Sequence, residues 1–326
     1  MNDTLRVPGD VLAALDRAPG RALMLGHVHP DADVLGTLLA IAEALRARRW
    51  SVVAGGPHRA PDALSFLPGV EGYEVLKTLD GTFDVVVLTD CPNPDRTEGL
   101  IDAAKDAAPV VVNIDHHPDN RRYGTVNWID VGAAATGEMV YRLLTALRAP
   151  VTPTIATNLF TAVHTDTGSF RYSNVTPETF DIAAALTAAG ARPEVVSSAL
   201  YERRAPDALR LLADALARVR VSDDGRVAWL ALPSGAVPER LIESEELVNY
   251  PRSIGSVKVA CLLRELGGAR VKVSLRGKGE VDVNKIAAAF GGGGHANAAG
   301  CTVSGTLEVV TRRILDAVSA ALAAPR

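Results

Sequence analysis

The histidines of this sequence are grouped, and an aspartate stands close to most of the groups. Six of the seven histidines fall in a few short stretches, and each stretch before residue 170 contains an aspartate. These groups are His27 and His29 with Asp31 and Asp33, His116 and His117 with Asp115, and His164 with Asp166. Nitrogen and oxygen ligands without sulfur favour Mn²⁺ or Mg²⁺, and the imidazoles favour Mn²⁺. The residue types therefore suit a divalent metal site.

Asp90 adds a fifth carboxylate, at the end of the apolar run "DVVVLTD". A single aspartate after a strand usually forms a turn or caps a helix. Five carboxylates at one edge of a sheet would instead repel one another and raise each other's pKa unless cations held them ionised. The ligand count fits two ions better than one, and a carboxylate that bridges two ions suits in-line attack on a phosphoryl group. Asp90 is the best candidate for that bridge.

The elements that must position these residues follow an alternating pattern. Short β-branched runs predict strands, and helical patterns lie between them, which indicates parallel strands joined by crossover helices. The predicted strands are residues 21–25, 50–55, 83–90 and 109–117, and the predicted helices include 34–49 and a segment from Thr176 to Gly190. Because ligand sites of such sheets lie at the carboxyl ends of the strands, the histidine and aspartate groups should meet in one crevice.

The second part of the chain has a different pattern. Residues 1–190 form the predicted catalytic α/β domain, residues 191–222 a helical linker without a strand, and residues 223–326 a smaller α/β domain with antiparallel hairpins. The hairpin turns are expected at Asp224–Gly225 and at Gly267–Gly268. Alternation in "ARVKVSLRG" puts Lys272, Ser274 and Arg276 on one face, which is a candidate anion-binding surface.

Composition excludes several classes of protein. The chain has 326 residues, of which 48% are hydrophobic and 22% charged, so a soluble globular protein with two domains is expected. A net charge of −4 gives no basic field for tracking long DNA. Three scattered cysteines indicate neither a zinc ribbon nor a disulfide framework. With no signal peptide or membrane segment in the sequence, we expect a cytoplasmic protein.

Five motifs together resemble the DHH phosphoesterases with their DHH-associated C-terminal domain. In chain order they are "HVHPDAD" followed by Gly36, Asp90, "DHH" at 115–117, "TDTGSFRY" and "GGGGHANAAG". Within that family, the chain is similar to the bacterial bifunctional oligoribonucleases, or nano-RNases, that also act as 3'-phosphoadenosine 5'-phosphate (pAp) phosphatases. The resemblance implies hydrolysis of RNA of about two to five residues, including linear dinucleotides, to 5'-mononucleotides, and of pAp to AMP, by a water that two metal ions activate.

The resemblance also implies roles for individual residues. One Mn²⁺, or Mg²⁺, would be held by His27, Asp31 and Asp90, and the second by Asp33, Asp90, His116 and Asp166. His117 would face the substrate phosphate, and Asp115 would orient a neighbouring histidine by hydrogen bonding. The nucleotide would be held in the second domain by Arg276, Asn284, His295 and the glycines Gly291, Gly292, Gly293 and Gly294.

Several of these residues also have ordinary structural explanations. Arg171 in "SFRYSN" would contact phosphate or simply pack a loop. The glycine run would be a flexible loop, or would let backbone N–H groups converge on an anion. Asn284 would bind nucleotide or cap a helix. His164, in an extended segment, would be a structural histidine or would share a face with Asp166, and His29 is left out of the metal shell.

Other functions share parts of this pattern. A RecJ-like single-strand DNA exonuclease would need a further domain and a more basic surface. A manganese inorganic pyrophosphatase shares the first-domain ligands but not the glycine-rich nucleotide motif. A non-catalytic nucleotide sensor should have lost at least one ligand. The expected partners are therefore short RNA, dinucleotides and nucleoside bisphosphates, without long duplex DNA or a membrane, and the family resemblance adds a homodimer.

Overall fold

The computed structural model describes residues 7–236, 247–279 and 281–323. Parts of the predicted domains fall beyond these ranges and so lie outside the described residues. The same holds for the first six residues, which the signal-peptide expectation includes. The chain divides into two compact units, Met1–Arg203 and Arg204–Arg326. The domain boundaries at residues 190 and 223 stay a prediction.

The first unit contains a parallel sheet, as predicted. Among the described residues its strand order is β3-β2-β1-β4-β5-β6, and every neighbouring pair is parallel. The strands are β1 (Arg21–Leu25), β2 (Ser51–Gly56), β3 (Tyr73–Val75), β4 (Val85–Thr89), β5 (Val111–Asp115) and β6 (Val126–Ile129). The sequence did not indicate β3 or β6, which are short and only partly buried.

Helices cover both faces of this sheet. They are α1 (Gly9–Leu15), α2 (Ala32–Ala47), α3 (Leu100–Ala107), α4 (Thr136–Ala146), α5 (Pro153–Asp166), α6 (Pro177–Ala188) and α7 (Pro193–Tyr201). Alternate residues of β1 enter different cores, with Met24 in one and Leu23 and Leu25 in the other. Burial on both faces explains why the strands read as continuous apolar runs. The helix predicted after Thr176 is confirmed, and the Thr176 side chain caps it by accepting from Thr179 N.

The second unit contains a mixed sheet in the order β11-β12-β10-β9-β8-β7 among the described residues. Its strands are β7 (Arg220–Val221), β8 (Val227–Leu232), β9 (Val259–Leu266), β10 (Arg270–Gly277), β11 (Gly293–His295) and β12 (Ala298–Ser304). Its helices are α8 (Pro206–Leu216), α9 (Asn249–Ser253), α10 (Val283–Ala288) and α11 (Leu307–Ala323). The helical part of the predicted linker is found as α7 and α8. The last residues of the linker contain β7, which is the first strand of the hairpin predicted at Asp224–Gly225.

Both predicted hairpins of the second unit are present, but its sheet is not purely antiparallel. β7 pairs with β8 and β9 with β10 in antiparallel register. β8 pairs with β9 in parallel register, which corrects the expectation of antiparallel hairpins alone. The connection between β8 and β9 is a long crossover that includes α9, and such a connection permits parallel pairing.

Two further observations concern membrane-spanning helices and the cysteines. No helix within the described ranges is long and apolar enough to cross a membrane. Cys91, Cys261 and Cys301 are all free and buried.

Candidate metal centre

His27 presents a buried nitrogen toward the carboxyl end of the first sheet. It follows β1 by two residues and is fully buried. Its Nδ1 lies 2.8 Å from the carbonyl oxygen of Val28, so Nδ1 carries the proton and donates it. His27 Nε2 has no hydrogen-bond partner among the described residues. Ligand atoms of His27, Asp31 and Asp90 lie within 4.8 Å of one another, so the unpartnered nitrogen belongs to a group that fits a cation.

Asp90 lies where the proposed ligand groups meet. It follows β4 with a positive φ of 52°, and its backbone N–H donates to the Ile114 carbonyl. Asp90 Oδ1 is 3.3 Å from His116 Nε2 and 3.4 Å from His117 Nδ1. Asp90 belongs to three groups of candidate ligand atoms. The first also contains His27 and Asp31, the second Asp33 and His116, and the third Asp115 and His117. Asp90 is thus the residue that these three groups share.

Asp33 is held by the N-terminus of a neighbouring helix. It is buried in the first turn of α2, and its carboxylate accepts from the backbone N–H groups of Thr136 and Gly137 at 2.7 and 2.9 Å. These two residues begin α4, whose helix dipole favours a negative charge there. The side chain of Asp31 caps α2 by accepting from Asp33 N and Val34 N. Asp31 is thus both the predicted helix cap and a member of the ligand group.

Asp166 reaches the same place from a helix rather than from a strand. It is the last residue of α5, and its Oδ2 lies 3.3 Å from His116 Nε2. The ring of His116 is fixed from its other side, where Nδ1 lies 3.0 Å from the Ala133 carbonyl. The expectation that every group follows a strand is therefore wrong for Asp166. The extended segment expected around His164 is likewise helical.

Asp115 holds the two histidines that follow it. Its Oδ1 accepts from the backbone N–H groups of His116 and His117, at 2.8 and 3.2 Å, and lies 2.8 Å from His117 Nδ1. Asn120 Nδ2 donates to the other oxygen, Oδ2. A carboxylate bonded in this way fixes the orientation of the His117 ring.

The charges of the centre depend on one another. Burial, followed by the charges of Asp90 and Asp166, raises the pKa of Asp33 well above its usual value. Burial alone would lower the pKa of His116, but the hydrogen bond to Asp90 and the nearby carboxylates raise it to about 10. Burial and then the Arg96 charge lower the pKa of His27 to about 3, which keeps it neutral. These shifts arise because several carboxylates share one buried place, an arrangement that divalent cations would stabilise.

Among the described residues of the first unit, His29, His58 and His164 lie outside these ligand groups. The ring of His29 packs edge-on against His58, with the ring centres 4.4 Å apart. The ring of His164 is stacked on Phe160 and lies edge-on to Phe170. These contacts support the structural interpretation of His164 and the exclusion of His29.

Local contacts of Arg171 and Asn284 bear on whether these residues have structural roles. Arg171 Nε donates to the Gly168 carbonyl at 2.6 Å, which is a loop-packing contact. Asn284 does not cap α10, because the side chain of Asp282 caps that helix by accepting from Asn284 N and Lys285 N. The N-cap explanation of Asn284 is therefore wrong.

Part of the glycine run forms a strand, so the run is not a free loop. Gly293 and Gly294 belong to β11 with His295, and Gly292 N donates to the Ala287 carbonyl at 2.9 Å. A Cβ on Gly292 would lie 2.1 Å from the carbonyl oxygen of Gly300. The glycines therefore allow β11 to approach β12 closely. Arg276, on β10, donates from Nη1 to the Leu275 carbonyl.

Sequence reasoning missed Arg96, Asn120 and the start of α4. Arg96 Nη2 lies 3.2 Å from His27 Nδ1, and the Arg96 carbonyl accepts from Val28 N. Both side chains lie in loops that follow strands, Arg96 after β4 and Asn120 after β5, so their positions were local signals in the sequence. The backbone N–H groups that hold Asp33 left none, because they come from a contact more than 100 residues away in the chain.

Comparison with known proteins identifies the family. Residues 21–163 match the DHH family, N-terminal domain, and residues 241–324 match the DHHA1 domain. The chain is 34% identical over 323 residues to the bifunctional oligoribonuclease and PAP phosphatase NrnA of Thermus thermophilus, covering 97% of this chain and 94% of the relative. The chain belongs to the DHH family. The family predicted from the five motifs is thus confirmed.

Two further proteins are similar to this chain. The Bacillus subtilis bifunctional oligoribonuclease and PAP phosphatase NrnA is 25% identical over 286 residues, covering 85% of this chain and 87% of the relative. The crystal structure of an exopolyphosphatase-related protein from Bacteroides fragilis superposes with a TM-score of 0.83 at 26% identity, covering 96% of this chain and 94% of that chain.

Proposed function

We propose that this DHH-family chain is a metal-dependent phosphoesterase that hydrolyses short oligoribonucleotides to 5'-mononucleotides and pAp to AMP. The names of the Thermus and Bacillus relatives carry both activities, and the Thermus relative matches nearly the whole chain. The observation that carries the proposal is the position of Asp90, which is shared by three groups of ligand atoms, beside the unpartnered His27 Nε2.

The residues of the centre fit two divalent cations, for which we propose Mn²⁺. His27, Asp31 and Asp90 would hold one, and Asp33, Asp90, His116 and Asp166 the other. Two such ions, when bound, supply a water of lowered pKa and neutralise charge on the phosphoryl oxygens. The protein keeps the donor atoms in place through the N-terminus of α4, which holds Asp33, and the Ala133 carbonyl, which orients His116.

The remaining proposed residues bind and orient substrate. Asp115 holds Nδ1 of His117, so Nε2 is the atom that would face the phosphate and protonate the leaving 3'-oxygen. The nucleotide would be held in the second unit by Arg276, Asn284, His295 and the neighbouring glycines. In the first unit, Arg171 would contact phosphate.

One set of assays tests the proposed function. Release of mononucleotides from RNA of about two to five residues is measured with and without Mn²⁺, beside pAp, pyrophosphate and long single-stranded DNA. We expect Mn²⁺-dependent turnover of the short RNA and of pAp, and little turnover of the other two. Turnover of pyrophosphate alone would show a pyrophosphatase instead, and processive degradation of long DNA would show the exonuclease alternative.

A further inference from the structure

Arg96 places a positive charge beside the proposed metal centre. It lies in the 3-10 helix Pro94–Thr97, and its carbonyl accepts from Val28 N at 2.8 Å, which ties this turn to the loop after β1. The side chain is half-buried, with Nη2 3.2 Å from His27 Nδ1. Within the described ranges no Asp or Glu forms an ion pair with Arg96.

The contact with His27 does not satisfy the guanidinium. His27 Nδ1 lies closer to the Val28 carbonyl oxygen, at 2.8 Å, and two acceptors that close would repel each other. Nδ1 must therefore carry a proton, and it cannot accept a second one from Arg96. Arg96 and His27 thus turn N–H groups toward each other, so His27 does not accept from the guanidinium, whose N–H groups stay available to an anion.

Charge balance indicates which anion this is. In the proposed metal-loaded site, Asp31, Asp33, Asp90 and Asp166 carry four negative charges against the four positive charges of two divalent cations. Asp115 is paired within the centre, because its Oδ1 lies 2.8 Å from His117 Nδ1. The charges of these carboxylates and cations balance, so none of them is left over for the negative charge of an incoming phosphate. Arg96 supplies the additional positive charge.

We propose that Arg96 binds a non-bridging oxygen of the scissile phosphate and favours phosphomonoester over phosphodiester substrates. The inference rests on the proposed function. The 3'-phosphate of pAp is close to a dianion at neutral pH, because the second pKa of a phosphomonoester is about 6, whereas a diester in RNA carries a single charge. One additional cation therefore stabilises the bound monoester more than the bound diester.

The test compares Arg96→Met with Arg96→Lys. The measured quantities are kcat/KM for pAp and for a diribonucleotide, the Kd of inorganic phosphate for the Mn²⁺-loaded protein, and the Kd of Mn²⁺, the last two by calorimetry. We expect Arg96→Met to lower kcat/KM about a hundredfold for pAp and about tenfold for the dinucleotide, and to weaken phosphate binding at least about tenfold. Arg96→Lys should recover part of each loss, and the Kd of Mn²⁺ should change by less than about twofold.

Arg192→Met is the matched control, because Arg192 is exposed and pairs with Glu194, and it should change none of these quantities. Equal losses on both substrates, or unchanged phosphate binding, would overturn the inference. A parallel loss of Mn²⁺ affinity would also overturn it, since Arg96 would then act by positioning His27. If the wild-type protein cleaves neither substrate, the proposed function fails, and the phosphate titration still decides whether Arg96 binds phosphate.

Discussion

At the scale of single residues, Asp90 combines an unusual backbone conformation with the central position among the ligand groups. Its φ of 52° lies in the left-handed region, which aspartate and asparagine tolerate better than most residues. Asp90→Asn should therefore keep the fold while it removes a negative charge that two cations would share. Loss of a residue that hydrogen-bonds to a metal ligand typically lowers activity ~10- to 100-fold. We expect kcat of Asp90→Asn to fall by more than this, because Asp90 would itself be a ligand.

Steady-state kinetics and circular dichroism check this prediction. Asp95→Asn provides the comparison, because Asp95 lies five residues further on, is exposed and pairs with Arg121. It should have activity close to that of the wild type. Full activity of Asp90→Asn would remove the bridging role.

The proton on His116 makes metal binding dependent on pH. The folded pKa of His116 is raised from 6.5 to about 10, so its contribution to stability is present below pH 6.5 and is lost as pH rises toward 10. Asp33 acts in the same direction, because its folded pKa is also raised. A cation replaces these protons, so the rise in Tm that Mn²⁺ produces should grow between pH 6.5 and 8.5.

Thermal denaturation with and without Mn²⁺ at several pH values measures this effect. His116→Asn should lose most of the pH dependence, whereas His58→Asn, which changes a histidine outside the ligand groups, should keep it. A Mn²⁺-induced rise in Tm that stayed constant or fell with pH would contradict the assignment of His116 as a ligand.

At the scale of elements, close packing of α2 against α5 places Asp33. A Cβ on Gly36 would lie 2.4 Å from the carbonyl oxygen of Asn158 on α5, so Gly36→Ala must push the two helices apart. Such overpacking costs about 1–3 kcal/mol of unfolding free energy. Because Asp33 lies one turn before Gly36 on α2, kcat should fall as well.

Urea denaturation and kinetics on the same samples would show both effects. Gly72→Ala is the matched substitution, because a Cβ there meets no atom within 4 Å and its φ is not positive. It should leave stability and kcat nearly unchanged. If Gly36→Ala lost stability without losing activity, the helix contact would not position Asp33.

The same scale shows what the sequence could and could not predict. β1 was predicted at its observed limits, because a run buried on both faces is apolar throughout. β6 was missed because it is short and partly exposed, and the parallel pairing of β8 with β9 was missed because local patterns contain no pairing partner. The predicted metal ligands lie close together, and their role as ligands stays a prediction. Their supports did not follow from the sequence, since the N–H groups that hold Asp33 come from distant residues.

At the scale of the whole molecule, the two units divide the proposed work. The proposed metal ligands, from His27 to Asp166, belong to the first unit, whereas Arg276 lies in the second unit on β10, beside the buried residues Val273 and Leu275. Arg276→Ala should therefore raise KM for short RNA by about tenfold, the loss expected for one charged hydrogen bond. It should leave the Mn²⁺-induced rise in Tm unchanged, because no metal ligand is altered.

Arg312→Ala serves as the comparison in the same unit, since Arg312 is exposed and pairs with Glu308 one helical turn away. Both variants are assayed as full chains, with KM for a dinucleotide and the Mn²⁺-induced shift in Tm measured side by side. An unchanged KM in Arg276→Ala would remove Arg276 from the nucleotide-binding surface. A smaller metal-induced shift would instead mean that the second unit influences the metal centre, and the proposed division of work would be wrong.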